Sequence, residues 1–231
     1  MRHESRLSPG YSRRAASGSS TTSAVQEVRD ALGLDRIHLL GQSFGGMLAI
    51  EYMQRRPAGI ESLVLANTTA SMPMQREVLR ACARHCRRRL GRRWMKANVR
   101  AISTPEYGQA LFTFYQRHVC RLEQWPPALL AMGASMMGNP VYVEMWGANE
   151  LTPAGNLVTW DRSAELARIS VPTLVTCGRY GEIVPDCAQA ISDGVANSSL
   201  VVFEQSAHVP HLEQPEAFRS AVCEFLAAGR A

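Results

Sequence analysis

Gly41-Gln42-Ser43-Phe44-Gly45 is a G-x-S-x-G pentapeptide, one hydroxyl framed by small residues. Placed between an apolar strand and a helix, this spacing makes a turn so sharp that the serine is held in a strained conformation. Its Oγ then projects at the helix N-terminus, where the dipole and the Phe44 N–H face negative charge developing on an attacked carbonyl. Gly41, Gly45 and Gly46 meet the turn's need for small residues. The chemistry implied is nucleophilic acyl transfer, with Ser43 as nucleophile and Phe44 as an oxyanion donor.

A serine hydroxyl needs a base, which in a strand–turn–helix site of this kind comes late in the chain. Glu204-Gln-Ser-Ala-His208-Val-Pro-His211 follows the apolar run Leu200 to Phe203. His208, the sooner of the two histidines after the strand end, is the expected base. His211, nearer the next helix, is read as structural or capping. His38, inside the strand before the pentapeptide, is read as a core histidine.

The elements that must position these residues follow from periodicity. Ala24 to Leu32 reads as a helix with Ser23 as N-cap and Gly33 as its stop. Arg36 to Leu40 reads as a strand, Phe44 to Arg56 as a helix closed by Pro57, and Ser62 to Asn67 as a buried strand. Strand, turn, helix, strand is a βαβ unit, which calls for a mostly parallel sheet with helices on its faces. Residues 71–166 change to helical stretches broken at Pro105, Pro126-Pro127, Pro140 and Pro153, the pattern of an inserted helical cap. The α/β pattern resumes with a strand at Val171 to Cys177, a helix at Asp186 to Val195, a strand at Ser199 to Phe203 and a helix at Pro215 to Ala228. This assigns 24–70 and 167–231 to the core, 71–166 to the cap, and 1–23 to a leader.

The chain has 231 residues, 46% of them hydrophobic, with a mean hydropathy of −0.13. That suffices for one core, and no stretch approaches the ~18 apolar residues of a membrane helix. The net charge of +5 gathers in the first fourteen residues and between Arg80 and Arg100. With no nucleic-acid module or aromatic platform beside it, the basic run reads as a solvated helix face, and neither nucleic acid nor membrane is expected as a partner. The leader is rich in Arg and Ser, a composition shared by disordered segments and organellar transit peptides. Six scattered cysteines without a secretory signal suit a reducing, cytoplasmic setting. Cys82, His85 and Cys86 could share a helical face, but three ligands fall short of the four of a structural zinc site. No metal or cofactor is expected.

The segments GQSFGGMLAIEYM, RPAGIESLVLANTTASMP, FYQRHVCRLEQWP, VEMWGANELTPAGNLVTWDR and FEQSAHVPHLEQPEAF together resemble the proline iminopeptidases. These are serine aminopeptidases of the α/β-hydrolase superfamily, in peptidase family S33, with a helical cap over the active site. The resemblance runs from about Ala24 to Phe225 and implies hydrolysis of an N-terminal proline, or a similar residue, from a small peptide or amide with a free N-terminus. It also implies Ser43 as nucleophile and His208 as base. Glu150, in the cap segment that follows Trp146, corresponds to a glutamate that holds the substrate's ammonium, and Glu182 to a second that assists it. A buried carboxylate suits that task, because it rewards a charged amine and rejects a blocked one.

Two parts of the family pattern are missing. The family carries its triad aspartate at the position of Gly181, leaving Glu182 or Asp186 as possible substitute acids. Loss of the equivalent acid in a serine protease costs about 10⁴-fold in turnover. The glycine-rich loop that completes the oxyanion hole is matched only poorly by Ser8-Pro-Gly-Tyr11. Too few residues lie between that loop and Ala24 for the early strands, so the expectation is a sheet shortened on its N-terminal side, with the strand before Ser43 at an edge. A related hydrolase acting on other esters or amides, and an inactive relative that only binds, are the alternatives.

Overall fold

The computed structural model describes residues 18–79, 105–136, 139–147 and 153–229. Its frame is a parallel sheet of four strands in the order β1-β2-β3-β4: β1 Ile37–Gln42, β2 Ile60–Ala66, β3 Thr173–Gly178 and β4 Ser198–Phe203. Helices α1 (Gly18–Ala31) and α2 (Phe44–Met53) flank the first strands, and a helix over 72–79 (α3) follows β2. Helices α4 (Pro105–His118), α5 (Pro127–Met136) and α6 (Pro140–Trp146) make up the described cap. Helices α7 (Pro185–Gly194), α8 (Pro210–Glu213) and α9 (Pro215–Ala228) alternate with the last two strands. This is the expected α/β frame with a helical insertion. Among the described residues no helix is long and apolar enough to cross a membrane.

The main core lies on the sheet face that takes Leu63 and Leu65 of β2 and Val175 and Cys177 of β3. Because side chains alternate along a strand, these residues point together, toward Ile50 and Met53 of α2 and Ala188 and Ile191 of α7. The interior strands β2 and β3 read as near-continuous apolar runs because both faces are buried. β1 differs. Its outer edge has no strand partner among the described residues, and Leu40 is 48% exposed.

The first helix departs from its expected bounds. It begins at Gly18, inside the segment read as leader, and Ser23 lies within it. Tertiary contacts override the poor helix propensity of the Ser/Thr run, since Thr22 is buried and Arg55 reaches Ser23 Oγ at 3.4 Å. Its end is as expected. Gly33 takes φ +63°, its N–H bonds Asp30 O, and Leu34 N–H bonds Arg29 O, the paired bonds of a Schellman stop. The buried Arg29 guanidinium then donates to the carbonyls of Leu34, Asp35 and Ala58 and to Tyr52 Oη, anchoring α1 beside α2. Helix α2 ends at Met53, three residues sooner than expected, in a turn where Arg56 takes φ +50°.

His38 is corrected from a core histidine to a half-buried one on the edge strand. Its Nδ1 lies 2.8 Å from Ser62 Oγ and its Nε2 3.4 Å from Glu61.

Candidate active site

Ser43 sits between β1 and α2 with φ 55° and ψ −123°, a left-handed backbone that side chains avoid except under tight constraint. The constraint is visible. Its N–H donates to Ala66 O at 2.9 Å, while its carbonyl accepts Gly46 N–H at 2.9 Å and Thr68 Oγ1 at 2.8 Å. A Cβ on Gly41 would strike the backbone of Gly45, and one on Gly46 would lie 2.5 Å from Thr68 Cβ. Gly45 is the exception among the three expected small residues, because a Cβ there would meet nothing within 4 Å. Phe44 is the first residue of α2, so its N–H has no partner inside the helix and is available to an oxyanion.

His208 lies in the loop after β4, 7% exposed. Gln42, the residue before the serine, donates from Nε2 to the His208 carbonyl at 3.3 Å, so turn and histidine loop are directly bonded. Burial pushes the His208 imidazole down from its usual 6.5 to about 4, with a smaller push from His211. It is therefore neutral at pH 7, the form a general base requires. Its Nδ1 is buried and, among the described residues, has no hydrogen-bond partner. His211 is half-buried and stands edge-on to Phe218.

The turn after β3 carries the expected acids. Gly181 is buried against the histidine loop: a Cβ there would lie 3.3 Å from Ala207 O and 3.1 Å from Ile183 O. The spot is close to His208 but has no side chain. Glu182 is 4% exposed, and its Oε1 is 3.8 Å from His208 Nε2, near enough for charge attraction but beyond a hydrogen bond. Asp186 falls on the first turn of α7, exposed, and among the described residues no hydrogen bond or ion pair joins it to His208. Of the two substitute acids, only Glu182 is brought to the histidine.

The cap reaches the elbow through Trp146. At the end of α6 and 7% exposed, it packs with Met47 of α2 and with Met72, beside Phe44, Tyr142 and Met145. Behind α2, Glu51 receives Nε and Nη2 of Arg162 at 2.7 and 3.1 Å and Trp160 Nε1 at 3.1 Å, tying the serine's helix to the cap's return. Glu150, Ser8 to Tyr11, the run Arg80 to Arg100 and the Cys82, His85, Cys86 trio lie outside the described residues. Among the described residues, no group of three or more His, Cys, Asp or Glu side chains could hold a metal ion.

Sequence reasoning missed three residues that hold the site together. Asn67, at φ +49°, accepts Gly178 N–H on Oδ1 at 3.0 Å and so joins the ends of β2 and β3. Glu213 and Gln214 accept hydrogen bonds from the histidine loop. An Asn closing a strand suits left-handed backbone, and that was the one available signal. Nothing in the local pattern marks Glu213 or Gln214.

Known proteins resemble this chain in sequence and in fold. The family model for the alpha/beta hydrolase fold matches residues 9–215. A proline iminopeptidase of Heyndrickxia coagulans is 31% identical over 206 residues, covering 87% of this chain and 70% of that protein. Among solved structures, VinJ superposes with a TM-score of 0.87 at 34% identity, covering 92% of this chain and 73% of VinJ. A proline iminopeptidase of Mycobacterium smegmatis superposes with a TM-score of 0.81 at 34% identity, covering 93% and 73%.

Proposed function

The chain belongs to the α/β-hydrolase fold family and, within it, to the proline iminopeptidases, and from that premise we propose that it is a serine aminopeptidase releasing an N-terminal proline or similar residue from short peptides or amides. The observation that carries this reading is the Ser43 turn, with its left-handed φ and its Gln42 bond to the carbonyl of His208. A strained backbone that packing over-determines is the mark of a positioned nucleophile.

In this reading Ser43 Oγ attacks the scissile carbonyl and passes its proton to neutral His208. The Phe44 N–H donates to the oxygen as it becomes negative. His208 returns the proton to the leaving amine, and water then hydrolyses the acyl-serine by the same route in reverse. Glu182 lies within 4 Å of the ring, so its carboxylate attracts the imidazolium formed during attack. By the family resemblance Glu150 and Glu182 receive the substrate's ammonium, and Trp146 forms an apolar wall above the elbow.

The orphaned Nδ1 of His208 and the bare Gly181 favour a second reading, an inactive relative that only binds. Release of a chromogenic arylamine from a proline arylamide separates the two. The aminopeptidase reading requires turnover that falls to background in Ser43→Ala and on the N-acetylated substrate. Equal turnover of the blocked substrate would point to a general ester or amide hydrolase. A folded protein without turnover would establish the binding-only relative.

A further inference from the structure

The loop that carries His208 has no regular secondary structure at residues 204–208, yet each of its backbone N–H groups from Gln205 to His208 has an acceptor. Ser206 bonds Phe203 O within the loop, and Gln205 bonds Oε1 of Gln214. Ala207 bonds Oε2 of Glu213 at 2.7 Å, and His208 bonds Val119 O at 3.0 Å. Val119 belongs to the chain leaving α4, which runs as a strap between the histidine loop and the turn after β3. The same strap accepts Glu182 N–H on His118 O, donates from His118 Nδ1 to Tyr180 O, and lays the Arg121 guanidinium over the Tyr180 ring at 3.8 Å. Glu213 closes the circuit, because its other oxygen, Oε1, accepts the Arg121 N–H at 2.7 Å.

We propose that Glu213 is a positioning residue for His208, its carboxylate clasping the histidine loop to the cap strap so that the base is in register only while the cap is docked. The proposal rests on the reading of His208 as the base. Its physical ground is that both partners are N–H donors. A carboxylate accepts on both oxygens, whereas a carboxamide must turn an NH2 toward one of the two donors. Charged acceptors also make the stronger bonds. The strap has no helix or strand ladder at residues 119–122, so it is held against the loop by these few bonds together with the apolar packing of Val119, Cys120 and Leu122 on Val209 and Leu212.

The test compares wild type, Glu213→Gln and Glu213→Asp by amide exchange and by the rate at which a fluorophosphonate labels Ser43. In Glu213→Gln, exchange is expected to accelerate about tenfold or more in residues 118–122 and 204–209 together, with β3 and α7 unchanged. Labelling should slow by a similar factor, and kcat on a proline arylamide should fall while KM stays within about twofold. Glu213→Asp keeps two acceptors and should recover part of each loss; it also carries the comparison if Glu213→Gln fails to fold. Loosening confined to one segment, or normal labelling by a loosened variant, overturns the clasp. Joint loosening in a protein whose wild type never labels upholds the clasp and removes the catalytic reading instead.

Discussion

The turn from β1 to α2 and the turn from β3 to α7 lie at the same end of parallel strands, with only β2 between them, yet they are built on different terms. The first is held by backbone. Ser43 is bonded on both sides, and Gly41 and Gly46 are pressed against Gly45 and Thr68 so closely that a methyl group would collide. In the proposed reading the second would carry one catalytic side chain, a carboxylate at position 181, where this chain has glycine. With glycine there, the turn keeps its bonds from Arg179 N–H to Phe203 O and from Tyr180 N–H to Ser206 O. A catalytic feature that is also a packing feature persists with the fold, whereas one carried by a lone side chain can be lost while the fold stands.

The substitution Gly181→Asp tests that contrast most strongly. The backbone leaves room for a Cβ at the cost of a few tenths of an ångström against Ile183 O and Ala207 O. If the orphaned Nδ1 of His208 awaits this acid, arylamide turnover should rise about 10²–10⁴-fold, and Gly181→Asn, which cannot supply the charge, should gain far less. No gain would mean that the absent carboxylate at position 181 is not what limits turnover at this site.

A smaller effect reads the histidine between them. His208 titrates near 6.5 unfolded but is pushed to about 4 in the fold by burial. The unfolded chain therefore holds more protons between those values, and stability falls as pH drops from 6.5 toward 4. The loss due to this residue should be about 3 kcal/mol, complete below pH 4 and absent above 6.5. Urea midpoints of wild type and His208→Gln across that range isolate the contribution, since the variant should show the shallower slope.

The smallest effects concern the elbow glycines. Gly46→Ala drives a Cβ into Thr68, whose hydroxyl holds the Ser43 carbonyl, and should lower stability by about 1–3 kcal/mol. Gly45→Ala meets open space inside a helix and should be neutral or stabilising by about 0.5–1 kcal/mol. Thermal unfolding of the pair measures both. Equal losses would show that the turn demands small residues for some reason other than contact.

By itself the amino-acid sequence determined the βαβ alternation, the helical cap, the Schellman stop at Gly33 and the strand–serine–helix junction. Each depends on residues close together in the chain: a period of two or of 3.6, a glycine where φ turns positive, a proline where a helix must stop. It also located the bare position at Gly181, through the resemblance to the proline iminopeptidases rather than through any pattern of its own. Only the tertiary structure decided which acid approaches His208. Glu182 and Asp186 stand four residues apart, and the turn buries one and exposes the other. It likewise decided that helix α1 begins at Gly18, that Gly45 is not required by contact, and that Glu213 joins the cap to the histidine loop. These features come from bonds and contacts between segments distant in the chain, often through one partner's backbone, which has the same chemistry at nearly every position and so leaves no mark in the order of side chains.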